Sequence, residues 1–295
     1  MSAHSGEPCR ISTYGDSFTH GDQVNDGETW QEQLAARIGE PIRNYGVGGY
    51  SVYQAYLRLR QEEERRPSRY LIFNMYDDDH RRSLDPLMLR IWAPRPSLVV
   101  EVERSVWREV PNPCPTPQSL YRLCEIDWLS EHYCNNRSIR QAAEGRARLQ
   151  AAVPPRDFPG APMKDGEEHS FMADALYGTL RILEALETFA SRAGSTVIYV
   201  LTYSGFRLQR YLHSDYRFDE SIVRFFKSKQ VPFVDMLAAH AADFARFKGT
   251  PEEYVGRYYV GGHYNPTGNG FLAVTLASQV VSLLTPKPPA YRVPA

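Results

Sequence analysis

The chain has 295 residues, of which 42% are hydrophobic and 23% charged, enough for one large or two small domains with a proper core. A formal net charge of −1 argues against a nucleic-acid or anionic-membrane partner reached by bulk electrostatics, and no apolar run approaches the ~20 residues of a membrane-spanning helix. Met1 to Pro8 is short and polar, without a secretory apolar region, which fits a cytoplasmic protein. Cys9, Cys114, Cys124 and Cys134 include no C-x-x-C pair, so they read as free thiols, with a metal site the weaker alternative.

In chain order, Cys9 to Tyr14 reads as a first strand ending at Gly15. Thr29-Trp30-Gln31-Glu32 has the form of a capping box, and Trp30, Leu34 and Ile38 recur at helical spacing until Gly39. Ile42 to Tyr45 is a short second strand, followed by the glycine-rich turn Gly46-Val47-Gly48-Gly49 and an amphipathic helix to Arg66. Tyr70 to Tyr76 is nearly all apolar, as a strand covered on both faces should be. From Asp77 to about Glu168 the rhythm breaks, so residues 80–168 read as a long insertion within a single domain spanning 1–295. Helix is expected in the insertion around 120–129 and 139–151, with no clear central element. The alternation resumes with a helix from Phe171 to Ala193, a strand from Thr196 to Leu201, a helix from Glu220 to Lys229 and a strand from Pro232 to Met236. A last helix begins at Pro266, capped by Asn265. Alternating strands and helices call for a parallel sheet with helices on both faces, whose sites lie beyond the carboxyl ends of the strands. Ser17, Gly49, the Asp77–Asp79 cluster and the Tyr203-Ser204 loop all fall at such ends.

Ser17, in Tyr14-Gly15-Asp16-Ser17-Phe18-Thr19, needs a base to become a nucleophile, because a free hydroxyl is barely ionised at neutral pH. His263, in Gly262-His263-Tyr264-Asn265-Pro266, is the best candidate for that base. The backbone N–H of Ser17 at a helix start and a glycine N–H from the 44–49 segment would face a developing oxyanion. Taken singly, a serine in such a turn is more often a helix cap and a histidine in a glycine-rich loop is more often merely exposed; it is the combination that points to catalysis.

These blocks resemble those of the SGNH (GDSL-type) hydrolases. Gly15-Asp16-Ser17 matches the nucleophile block, Asn44 to Gly49 the second block with Gly49 at the oxyanion glycine, and His263 to Asn269 the end of the last block. The resemblance implies a flavodoxin-like three-layer α/β/α fold and hydrolysis, or transfer, of ester-linked acyl groups on a small-molecule substrate, with no cofactor. Asp16, Asp77, Asp78 and Asp79 join Gly49 as candidate oxyanion or substrate-binding residues.

Two departures stand out. The third block, usually G-x-N-D, reads here Asn74-Met75-Tyr76-Asp77-Asp78-Asp79, so Tyr76 or Asp78 takes the place of the oxyanion asparagine. The aspartate that the family places two or three residues before the histidine is replaced by Val260 and Gly261. Three possibilities follow: a backbone carbonyl near Tyr259 orients His263, a carboxylate from Asp77, Asp78 or Asp79 substitutes, or the site is degenerate and only binds. A non-catalytic binding or assembly protein and an O-acyltransferase are therefore alternatives to an esterase. Substrate choice is expected in the insertion, which supplies Trp92, Trp107, Tyr121, Trp128 and Tyr133, while Tyr203, Tyr258, Tyr259 and Tyr264 flank the site.

Overall fold

The structure is a computed structural model and describes residues 9–87, 94–102, 105–135 and 165–292. Strands among these residues are β1 (Ile11–Tyr14), β2 (Arg43–Asn44), β3 (Tyr70–Tyr76), β4 (Ser97–Glu101), β5 (Val106–Val110), β6 (Thr196–Thr202), β7 (Phe233–Asp235), β8 (Tyr259–Val260) and β9 (His263–Tyr264). The α-helices are α1 (Ser17–His20), α2 (Trp30–Ile38), α3 (Val52–Arg65), α4 (Asp79–Arg82), α5 (Ile126–Asn135), α6 (Asp165–Ala193), α7 (Gly205–Ser214), α8 (Glu220–Lys229), α9 (Met236–Phe244), α10 (Pro251–Tyr258) and α11 (Pro266–Leu283). They divide between two compact units, one formed by the chain up to Asp79 and from Ile182 onward, the other by His80–Arg181.

The first unit is built on a parallel sheet of five strands in the order β2-β1-β3-β6-β7, the flavodoxin-like doubly wound order. Its register explains the layers. Tyr14, Phe73, Tyr199 and Phe233 stand side by side across four strands, so their side chains share one face. On that face the Tyr14 hydroxyl donates to Glu63 of α3 at 2.6 Å, and Tyr199 donates to Glu187 of α6 while its ring stacks on Phe226 of α8 at 4.6 Å. Thr13, one residue out of phase, faces the other way and receives the Gln31 amide of α2 at 3.1 Å. Asn269 of α11 accepts from the Trp30 N–H at 3.2 Å and so locks α11 to α2 on this second face. The result is a three-layer α/β/α sandwich. β3 and β6 are buried almost throughout because helices cover both faces, which is why they read as unbroken apolar runs.

Most element expectations hold in type, with ends shifted by a residue or two, except that α6 begins six residues before the expected Phe171. Three helices and one hairpin, α7, α9, α10 and β8–β9, arise in segments that carried no expectation. Asn265 caps α11 as expected, accepting from the Gly268 N–H at 2.9 Å.

The second unit adds detail to the reading of the insertion. It contains an antiparallel hairpin, β4 paired with β5 from Ser97 opposite Val110 to Glu101 opposite Val106. Leu98 and Val100 are its buried apolar residues, packed where Gly178 of α6 leaves room for them. The helix expected over 120–129 is present in two parts, a 3-10 segment, Gln118–Cys124, and α5 from Ile126, with a break at Glu125 between them. The expected helix over 139–151, Trp92 and the Tyr133 side chain lie outside the described residues.

Candidate active site

The turn between β1 and α1 aims Ser17 beyond the carboxyl end of the sheet. Gly15 takes φ of +156°, and a Cβ there would lie 2.2 Å from Thr19 Oγ1 and 2.9 Å from the Asn74 carbonyl, so only glycine fits. Asp16 is fully buried and caps α1, its Oδ1 accepting from the Phe18 N–H at 2.9 Å. Ser17 is the first residue of the helix, where backbone N–H groups have no partner inside the helix. Below it, the Asn74 amide donates to Thr19 Oγ1 at 3.1 Å and accepts from Thr202 Oγ1 at 3.0 Å, tying α1 to β3 and β6.

His263 comes from the far end of the chain on the β8–β9 hairpin. Gly261 and Gly262 form its two-residue turn with φ of +52° and +90°, the positive values that the tight hairpin turn matched to strand twist requires. The Gln23 amide braces the turn, donating to the Gly261 carbonyl at 3.1 Å. His263 Nε2 lies 2.8 Å from Ser17 Oγ. The hydroxyl has a second neighbour, Asp16 Oδ2, at 3.2 Å. The imidazole leans on Phe18, ring centroids 5.3 Å apart, and Phe18 in turn stacks on Tyr76 at 4.4 Å.

His263 Nδ1 is buried and has no hydrogen-bond partner among the described residues. No carbonyl near Tyr259 meets it, and that of Tyr258 accepts from the Asn265 N–H instead. Nor do Asp77 and Asp79 reach it. Asp77 Oδ2 accepts from the Ser204 N–H and hydroxyl, at 3.1 and 2.7 Å, with Arg207 3.9 Å away. Burial pushes the Asp77 carboxyl up to about 6, against the pull of those Ser204 donors. Asp79 Oδ2 accepts from the Tyr76 N–H at 3.1 Å and opens α4. Asp78 between them is half-buried.

Gly49 lies in a turn closed by the Tyr50 N–H on the Val47 carbonyl at 3.1 Å, with φ of +74°. The Val47 N–H donates to the Gly15 carbonyl at 3.1 Å, which joins this loop to the nucleophile turn. The structure thus brings Asp16, Ser17 and His263 together and anchors the Gly49 loop to their turn, while Asp77 and Asp79 serve local backbone and side-chain donors. Sequence reasoning missed Phe18, Asn74 and Gln23. Only Asn74 left a signal, as the single polar residue in an otherwise apolar strand. Tyr203 and Tyr264, expected to flank the site, are buried, and with Tyr254 and Tyr258 they contribute hydroxyls to internal hydrogen bonds.

Cys9, Cys114 and Cys124 are free thiols. Among the described residues no three His, Cys, Asp or Glu side chains are grouped to hold a metal, and no helix is long and apolar enough to cross a membrane.

No protein-family model matches the chain, and no curated protein matches its sequence. Among solved structures it is similar to a member of the lipolytic protein G-D-S-L family from Veillonella parvula, at 13% identity over 94% of this chain and 100% of that one, with a TM-score of 0.47. It is also similar to the acetyl xylan esterase AlAXEase, at 10% identity over 92% of this chain and 99% of that one, with a TM-score of 0.48. A third is Axe2, an acetylxylan esterase from Geobacillus stearothermophilus, at 11% identity, 95% and 96% coverage and a TM-score of 0.47. These likenesses assign no residue its role; the roles rest on the geometry above.

Proposed function

We propose that the protein is a serine-dependent ester hydrolase of the SGNH type that works with a Ser-His dyad in place of a triad. The observation that carries this reading is the 2.8 Å contact between Ser17 Oγ and His263 Nε2, made across 246 residues of sequence at the carboxyl edge of the sheet. Ser17 Oγ attacks the carbonyl carbon of a small-molecule ester while His263 Nε2 takes the hydroxyl proton. The oxyanion is held by the N–H groups of Ser17 and Gly49. Collapse of the tetrahedral intermediate breaks the C–O bond to the alcohol, which leaves with the proton from His263. Water then attacks the acyl-serine, gives a proton to His263, and releases the carboxylic acid as Ser17 recovers its own.

One observation favours a second reading, a protein that binds an ester-like ligand without turning it over: the buried Nδ1 lacks the acceptor that orients a catalytic imidazole. Treatment with a fluorophosphonate, followed by intact mass and adduct mapping, separates the two. The hydrolase reading expects one adduct, on Ser17, lost in Ser17→Ala and strongly slowed in His263→Ala. Folded wild-type protein that stays unlabelled by a small fluorophosphonate would establish the binding reading instead.

A further inference from the structure

Behind the β8–β9 hairpin lies a buried cluster that the dyad does not use. His240 of α9 is 1% exposed and is enclosed by the rings of Tyr254, Tyr258, Tyr264 and Phe271, with centroids 4.7 to 6.0 Å from its own. Its Nδ1 is 3.1 Å from the Tyr254 hydroxyl and its Nε2 is 3.3 Å from the Tyr264 hydroxyl. Asp243 receives two phenols, Tyr254 at 2.9 Å and Tyr258 at 2.7 Å.

The direction of each bond follows from counting protons. A carboxylate only accepts, so the Tyr254 proton goes to Asp243, the strongest acceptor within its reach. The Tyr254 oxygen then accepts, which places the His240 proton on Nδ1. Nε2 is left as an acceptor and takes the Tyr264 hydroxyl proton. Burial drives the His240 imidazole down to about 3, so it stays neutral and the relay keeps this single direction at any working pH.

Tyr264 is the neighbour of His263 on β9, a strand only two residues long. Its ring packs edge-on against Phe18 at 5.1 Å, and Phe18 is the ring on which His263 leans. Fixing Tyr264 therefore fixes both the backbone that carries His263 and one wall of its ring. We infer that Tyr264 and His240 are positioning residues: the Tyr264–His240–Tyr254–Asp243 relay holds the His263 imidazole against Ser17 from behind, doing by packing what an acceptor on Nδ1 does elsewhere. This rests on the esterase reading for its kinetic consequence, while its structural content is independent of turnover.

The test compares wild type, Tyr264→Phe and Tyr258→Phe. Both variants delete one phenol oxygen from the same buried cluster, but only the Tyr264 phenol belongs to a residue of the catalytic strand, that of Tyr258 bonding Asp243. Phosphonylation of Ser17 is followed at a series of fluorophosphonate concentrations to separate the limiting rate from the half-saturating concentration. Tyr264→Phe should lower the limiting rate about tenfold with half-saturation unmoved, since small misplacement of a reacting group is costly, and Tyr258→Phe should leave both near wild type. In parallel, the side-chain nitrogen NMR signals of His263 should shift in Tyr264→Phe and stay in Tyr258→Phe. Equal rates in wild type and Tyr264→Phe, or equal slowing in both variants, overturns the inference. If the wild type does not react at all, the esterase reading falls, and the NMR comparison decides the relay alone: unshifted His263 signals in Tyr264→Phe would refute it.

Discussion

On the proposed dyad mechanism, Val260→Asp should speed the reaction at Ser17. Val260 and His263 are directly opposite in the β8–β9 hairpin, so their side chains share a face with Cβ atoms about 4.5–5.5 Å apart. A carboxylate oxygen two bonds beyond one Cβ and a ring nitrogen two bonds beyond the other can meet at hydrogen-bond distance. Val260 is 49% exposed, so the exchange removes little buried apolar contact. In serine proteases, loss of the orienting aspartate costs about 10⁴ in turnover, or about 5.4 kcal/mol. A newly placed, half-exposed carboxylate recovers only part of that. A hydrogen bond to a charged group contributes about 1.5–3 kcal/mol, and solvent screening puts this one at the low end, a gain of about tenfold in kcat. The assay is hydrolysis of a p-nitrophenyl ester together with the rate of Ser17 phosphonylation, with Val260→Asn as the uncharged control. A folded Val260→Asp variant no faster than wild type, or an equal gain in Val260→Asn, would refute the idea that an unmatched charge at Nδ1 limits the reaction.

Gly46→Ala should destabilise the protein and slow Ser17 labelling together, because the new Cβ would sit 2.2 Å from the His20 nitrogen and 2.5 Å from the Thr19 carbonyl carbon, and backbone must move. A loss of about 1–3 kcal/mol in denaturant melts is expected, and an unchanged midpoint would show that the Gly46 loop does not pack on α1 as described. Asp77 predicts a pH slope. Its carboxyl is raised by burial from 3.8 to about 6, so the folded chain holds that proton more tightly than the unfolded chain. Its contribution to stability is therefore greatest below about pH 4 and falls by roughly 3 kcal/mol as the pH rises to about 6. Asp77→Asn should remove this slope. His240, driven down to about 3, contributes the opposite slope in both proteins and cancels in the comparison. Denaturant melts across this range that run parallel in the two proteins would contradict the burial of Asp77.

The parts of the molecule readable from the sequence are those where a local rule and the global arrangement coincide. Tyr70 to Tyr76 could be buried on both faces only in a parallel sheet, and Asn265-Pro266 could only start a helix. Ser17 and His263, which lie 2.8 Å apart, stood out in the sequence because glycines with restricted alternatives flank them, at Gly15 and at Gly261-Gly262. α9 and α10 were not readable, since their faces are set by one another: His240 is buried because Tyr254, Tyr258 and Tyr264 close over it, and no periodicity announces a ring of tyrosines. β4–β5 was hidden for a similar reason, its inward residues reduced to Leu98 and Val100 in a proline-rich stretch. The acidic run 77–79 has a structural use that the sequence did not show. Asp77 accepts from Ser204 and Asp79 from the Tyr76 backbone, because a strand end leaves N–H groups that need acceptors.

The orphaned Nδ1 also determines where the protons rest. A buried N–H without an acceptor is a costlier defect than a bare lone pair, so the His263 tautomer with its proton on Nε2 is favoured. That tautomer donates to Ser17 Oγ across the 2.8 Å contact, and the Ser17 hydroxyl must then donate to its other neighbour, Asp16 Oδ2 at 3.2 Å. On the proposed mechanism the serine proton would then point away from its base at rest, and each turnover would begin with a change of tautomer costing about 1–3 kcal/mol, the penalty of burying the unpaired N–H. A carboxylate at position 260 would reverse the preference by accepting the Nδ1 proton. Its gain and the tautomer penalty are thus two measures of one quantity, and a Val260→Asp gain far above about 150-fold would mean that more than the tautomer had changed.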